Sequence, residues 1–330
     1  MKAAIVYNKN DHKLQAAAYS WSYRCMFLSL FDRFEQTIPI NDDCHADAIQ
    51  ADVIIFFDPH SSHHINIEGI EKHPALKIEY FNDPHQRGFR GRYLNGDDVH
   101  KLSADQRIKR AMDRGVKYII SPYKQGYYDY IAPKIERAGG NADDMLLYFP
   151  IAPDAWLFHN GRIPLGNRKP QVLANGCVWS GTQGVTLDCY DFRRWAFGQP
   201  GVTLADHSLK DKKTPKGQEY GSFLAEHAGA LALCDFYPIP KYFEIPLAGC
   251  VCFAQYFKEY EQLGFIDGQT CIYVDKNNFA EQIKAFTTNP IEYQSIADAG
   301  RRLMLSKYTS NHFADYVYKF TESAIVAGVK

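Results

Sequence analysis

Short apolar runs and amphipathic stretches alternate along the chain. Residues 3–7 are an apolar run, and in 16–34 Trp21, Phe27, Leu28 and Phe31 fall on one stripe at helical spacing. Runs at 53–57 and 78–81 predict strands covered on both faces, which read as continuous hydrophobic segments. A helix over 103–115, with Ser103 as its N-cap, a strand over 116–121, a tyrosine-rich helix over 124–137 and a strand over 146–151 follow. Residues 149–170 then hold four prolines and two glycines, a linker composition. Beyond them the alternation restarts. Strands are predicted at 171–174, 201–205, 230–233 and 250–254, and helices at 190–197, from 219 to about 227, at 241–249, at 279–287 and between 291 and 325. Strand and helix in alternation give parallel α/β layers, and the restart gives two of them.

The predicted division is a first α/β domain over 1–152, a hinge over 153–170, a second domain over 171–310 and a terminal helix over 311–330. A chain of 330 residues suits two domains of ordinary size. Apolar residues make up 46% and charged residues 23%, enough to bury substantial cores. Residues 1–150 carry 19 Lys+Arg against 20 Asp+Glu and the remainder 18 against 18, for a net charge of −1. That balance argues against retention on nucleic acid or anionic lipid by overall charge, though not against a local patch. The eight cysteines form no C-x-x-C pair, the amino terminus reads as a strand, and no run approaches 18 apolar residues. A cytoplasmic protein with reduced thiols and no transmembrane segment is expected.

The chemistry-bearing residues concentrate in loops after predicted strands. Between 219 and 249, Lys241 and Glu244 open a helix just beyond the carboxyl end of a strand, the edge where ligands bind in open parallel sheets. Either they meet a ligand there, or they complement a helix terminus. Two D-P-H triplets follow the strands at 53–57 and 78–81, placing Asp58, His60, Asp83 and His85 in loops. These are turn-starting residues or groups able to help a hydroxyl lose its proton. His60, His63, His64, His73 and His85 crowd the same region without the spacing of a metal motif. Arg87, Arg90 and Arg92 alternate with Phe89 and Tyr93, a patch suited to phosphate or to a nucleic acid, or else a solvated loop. The loop N-G-C-V-W-S-G-T-Q-G, containing Gly181 and Gly184, can bring backbone N–H groups close to phosphates. The first turn, N-K-N-D-H-K-L-Q, has no glycine, which argues against a dinucleotide cofactor gripped there.

The segments F-E-I-P-L-A-G-C, G-F-I-D-G-Q-T-C-I-Y-V-D and N-P-I-E-Y-Q-S-I-A-D-A-G-R-R, in that order, resemble GT-B glycosyltransferases. The resemblance is nearest to the spore-maturation (CgeB-type) group, and it covers residues 219–320 well and the rest in outline. It implies two Rossmann-like domains facing each other across a cleft, with the last helix, through Phe313, Tyr316, Val317 and Phe320, crossing back to the first. It also implies a metal-independent transferase that takes a nucleotide-sugar as co-substrate and needs no other cofactor. On that resemblance Glu244 accepts hydrogen bonds from the ribose, Lys241 and Arg193 face the donor diphosphate with backbone around Gly181 and Gly184, and Tyr220 and Tyr242 flank the nucleoside. Asp83, or secondarily His85, serves as the base on the acceptor side, with Arg87, Arg90 and Arg92 near the acceptor. A departure is Phe236 at the position, eight before Glu244, where many retaining members carry another glutamate. The acceptor stays open among glycan, lipid, protein, small molecule and a modified DNA base. A non-catalytic nucleotide-sugar-binding protein is the remaining alternative.

Overall fold

A computed structural model describes residues 1–11, 13–14, 21–57, 65–82, 104–176, 191–205, 215, 217, 219–234 and 237–329. The chain forms two compact units, one from 1–16, 23–150 and 311–330, the other from 17–22 and 151–310.

The first unit holds strands β1 (Lys2–Val6), β2 (Gln36–Ile40), β3 (Cys44–His45), β4 (Val53–Phe57), β5 (Ile67–Glu68), β6 (Leu76–Tyr80), β7 (Tyr118–Ser121) and β8 (Leu146–Tyr148). Its helices are α1 (Ser22–Arg33), α2 (Ala104–Asp113), α3 (Lys124–Tyr130), α4 (Ala132–Arg137) and α5 (Ala142–Met145), except that Ser22, the first residue of α1, is grouped with the second unit. The main sheet runs β2-β1-β4-β6-β7-β8 with every pair parallel, while β3 and β5 pair separately. β4 and β6 are buried at every position, as parallel strands covered by helices on both faces must be.

In the second unit lie α6 (Asp191–Phe197), α7 (Glu219–Ala225), α8 (Lys241–Leu247), α9 (Lys258–Gln262), α10 (Phe279–Thr288) and α11 (Gln294–Lys307). Its sheet, β9 (Lys169–Asn175), β10 (Val202–Ala205), β11 (His227–Ala232), β12 (Val251–Ala254) and β13 (Ile272–Tyr273), runs β10-β9-β11-β12-β13, again all parallel. The order turns back at β9, whose neighbours are β10 on one side and β11 on the other. Connections leave such a strand in opposite directions, which opens a crevice at the carboxyl ends of β9 and β11. The architecture is mixed α/β with two parallel sheets, each Rossmann-like.

The terminal helix α12 (Ser310–Val326) contributes Phe313 to the first unit, where the ring meets Tyr80 and Phe149 edge-on. Tyr316 packs on Phe149 and Phe320 on Tyr118.

Several elements differ from the pattern in the sequence. β2 was unread because Q-T-I-P-I carries Pro39, which an edge strand tolerates since its outer face makes no ladder bonds. The helix expected over 124–137 breaks at Ile131, where Pro133 opens α4 and has no N–H to continue the preceding helix. His227 belongs to β11 rather than to the end of α7: its backbone is in register with Lys169, and only its ring stays against Phe223. β9 starts at Lys169, so the last two residues of the expected hinge are strand.

Candidate functional site

The crevice at the ends of β9 and β11 is furnished by α8, and α8 is fixed by groups its sequence supplies. Its first turn closes with the Phe243 and Glu244 N–H groups on the Pro240 carbonyl, at 3.0 and 2.9 Å. Pro246 sits inside the helix and cannot donate to the Tyr242 carbonyl four residues back. That carbonyl instead accepts the buried Tyr260 hydroxyl at 2.6 Å. At the other end Gly249, at φ +68°, donates to the Pro246 carbonyl at 2.9 Å while Cys250 donates to Ile245 at 3.3 Å, a Schellman cap. Arg168 then donates to the Ala248, Gly161 and Ile163 carbonyls at 3.0, 3.2 and 2.7 Å, and Arg301 to Leu247 at 3.2 Å. Cations at the last carbonyls of a helix satisfy orphan acceptors and suit the local field.

So held, α8 presents Lys241 and Glu244 from its first turn. Glu244 is 3% exposed, and its Oε1 accepts the Ser22 hydroxyl at 2.6 Å. Ser22 is grouped with the second unit, as Glu244 is. Tyr220, buried on α7, lies within electrostatic reach of the Glu244 carboxylate. Burial first, and then that negative charge, push its hydroxyl well above the ordinary phenol range. The Tyr220 oxygen accepts Asn175 Nδ2 at 3.0 Å. Asn175 is the last residue of β9 and is buried, and its Oδ1 has no hydrogen-bond partner among the described residues. Gly176 follows at φ +122°, and the Lys241 ammonium nitrogen lies 2.5 Å from where a Cβ would stand there. That positive φ is one glycine adopts without strain. Arg193 of α6 is buried too, and its Nε and Nη2 donate to the Leu233 carbonyl, just past the carboxyl end of β11, the former at 2.9 Å.

The structure therefore brings Glu244, Lys241, Tyr220 and Arg193 to one edge of one sheet. Tyr242 is different. It is 0% exposed, its hydroxyl donates to the Gln255 carbonyl at 3.2 Å, and its ring packs on Phe257 and Tyr260. An enclosed ring offers no face to a nucleoside, so Tyr242 is a core residue of this unit. Asp83, His85, Arg87, Arg90, Arg92, Gly181, Gly184 and Phe236 lie outside the described residues. Among the described residues no group of three His, Cys, Asp or Glu side chains could hold a metal ion. No described helix is long and apolar enough to cross a membrane.

Two members of the cluster received no role from the sequence. Asn175 opens the N-G-C-V-W-S-G-T-Q-G loop, which was expected to meet phosphates through its backbone. Ser22 carried no signal, because nothing in its neighbourhood points to a partner 222 positions away.

Residues 196–319 match a family model described as glycosyl transferase-like. No curated protein matches the sequence. Among solved structures the chain is similar to the DNA-modifying enzyme β-glucosyltransferase, with 13% identity, 98% of this chain and 99% of that chain covered, and a TM-score of 0.54. It is also similar to Alr3699/HepE of Anabaena in complex with UDP and glucose, with 10% identity, 98% and 100% covered, and a TM-score of 0.52. It spans 58% of the length of a chain from the GtfA/B complex, at 14% identity over 84% of this chain and a TM-score of 0.47. The fold is GT-B.

Proposed function

We propose that this chain transfers a sugar from a nucleotide-sugar donor to a hydroxyl acceptor. The observation that carries the reading is the cluster at the turning point of the second sheet: a buried carboxylate and a lysine from one helical turn, beside Asn175 and Gly176 at the end of β9. A carboxylate accepts two hydroxyls at once, which matches a ribose diol. An ammonium group over a glycine backbone matches a diphosphate, since the missing side chain lets the anion approach.

In this reading Glu244 holds the ribose. Lys241 offsets the charge that grows on the leaving diphosphate, with Arg193 adding positive potential from the Leu233 end, and backbone near Gly181 and Gly184 completing the cradle. Those cations do the work a bound metal does elsewhere, so the transferase needs no metal and no cofactor beyond its co-substrate. Tyr220 and Asn175 border the nucleoside. Asp83, with His85 as second choice, deprotonates the acceptor; it follows Asn82, buried just past β6. The motifs around F-E-I-P-L-A-G-C favour the spore-maturation (CgeB-type) branch. The six described cysteines are free, which supports a reducing compartment, the cytoplasm.

UDP and glucose in the Anabaena structure make a uridine nucleotide the first donor to try. The arginine-aromatic run at 87–93 favours a second acceptor class, a modified base in DNA, and salt-sensitive retention on DNA separates it from glycan acceptors.

A thermal-shift panel of UDP, ADP, GDP and CDP and their sugar conjugates tests the donor half. A ligand at a hundred times its Kd adds about 2.7 kcal/mol to the native state. Stabilisation by a nucleoside diphosphate, followed by slow release of sugar from its conjugate, is the expected result. No shift with any of them would end the reading.

A further inference from the structure

Ser22 and Glu244 make a contact that local sequence does not explain. Ser22, the first residue of α1, donates its hydroxyl proton to the Glu244 Oε1 at 2.6 Å, and both side chains are buried. A short O–H···O⁻ bond in a dry setting is strong, and it fixes which way the carboxylate plane faces.

From this contact we propose that Ser22 is a positioning residue for the donor nucleotide: its hydroxyl sets the Glu244 carboxylate in the orientation that reads the ribose diol. The inference rests on the reading of Glu244 given above. A free glutamate samples several rotamers, and a diol must be met by two oxygens in one plane. Pinning Oε1 from outside α8 supplies that plane before the ligand arrives. Affinity is gained because the ordering cost is not met at binding.

The test is the preference for ribose over 2′,3′-dideoxyribose, measured by calorimetry with UDP, ADP, GDP or CDP, whichever the unsubstituted chain binds most tightly, and its dideoxy analogue. Ser22→Ala should lower the affinity for the ribonucleotide about tenfold, the order expected for one hydrogen bond to a charged group, and leave the dideoxy analogue almost unchanged. Ser22→Thr, which keeps the hydroxyl, should restore most of the preference. A purely structural role would lower both affinities together and would overturn the proposal. Glu244→Gln provides the control. Loss of the preference in Glu244→Gln but not in Ser22→Ala overturns the role of Ser22 and leaves the ribose reading standing. Retention of the preference in Glu244→Gln overturns the ribose reading, and this inference with it. Failure of all four ribonucleotides to bind the unsubstituted chain has the same consequence.

Discussion

Glu244 and Lys241 stand three positions apart in one turn of α8, yet they face different tasks. The carboxylate is buried against Ser22, with Tyr220 in its field; the lysine reaches over Gly176. An ammonium that meets phosphate loses a charge-assisted bond when it is removed. Lys241→Ala should therefore weaken binding of the nucleoside diphosphate about tenfold or more while leaving the nucleoside nearly unaffected. Titration of both ligands against both proteins checks this, and equal losses would place the lysine away from phosphate. Asp83→Asn belongs to the same scale: on the proposed assignment of Asp83 as the acceptor's base, its removal changes chemistry without touching the donor. Turnover should fall by about a hundredfold or more with donor affinity almost intact. Full activity in that variant would remove Asp83 from the reaction. Lys241 and Glu244 were legible in the sequence because both lie in one helical turn after a strand. Tyr242 was misread for the same reason, as its residue type suits a nucleoside platform while its position on α8 faces the core.

α8 carries the site because its irregularities are matched by distant partners. Pro246 frees the Tyr242 carbonyl, and Tyr260 fills it at 2.6 Å. Tyr260→Phe keeps the ring and deletes the donor, leaving a buried carbonyl unpaired. It should cost about 1–3 kcal/mol in a urea titration, with the slope unchanged. An unaltered midpoint would show that the carbonyl finds another donor. Gly249 ends the helix at φ +68°, where a Cβ would overlap the Gly161 carbonyl oxygen. Gly249→Ala therefore meets both backbone strain and a backbone clash, and it should destabilise by several times the about 0.4–1 kcal/mol that a compatible glycine-to-alanine change gains. Melting temperature reads the difference directly. The helix and its glycine stop could be read from the sequence, as could the fully apolar strands β4 and β12. The break at Ile131 follows from Pro133, a local signal, but the transfer of His227 to β11 could not be read, because pairing with a neighbouring strand, here with Lys169, outweighs local helical spacing.

For the whole molecule, two units with separate parallel sheets make different predictions for ligand protection. Hydrogen exchange with a bound nucleoside diphosphate should slow amides at the ends of β9 and β11 and in α8. Amides of β1, β4 and β6 should remain near their unliganded rates. Equal slowing in both units would argue against a donor site confined to the second sheet. The sequence by itself determined the parallel α/β class and the helical turn that bears Lys241 and Glu244. These depend on periodicity and turn chemistry, which act over a few residues. Tertiary structure alone decided that β9 is the strand at which the order turns back, that Asn175 and Gly176 lie at that point, and that Ser22 meets Glu244. Those facts depend on which strands pair and which loops fold over them. Pairing between residues hundreds of positions apart is set by burial of the whole chain and leaves no local trace.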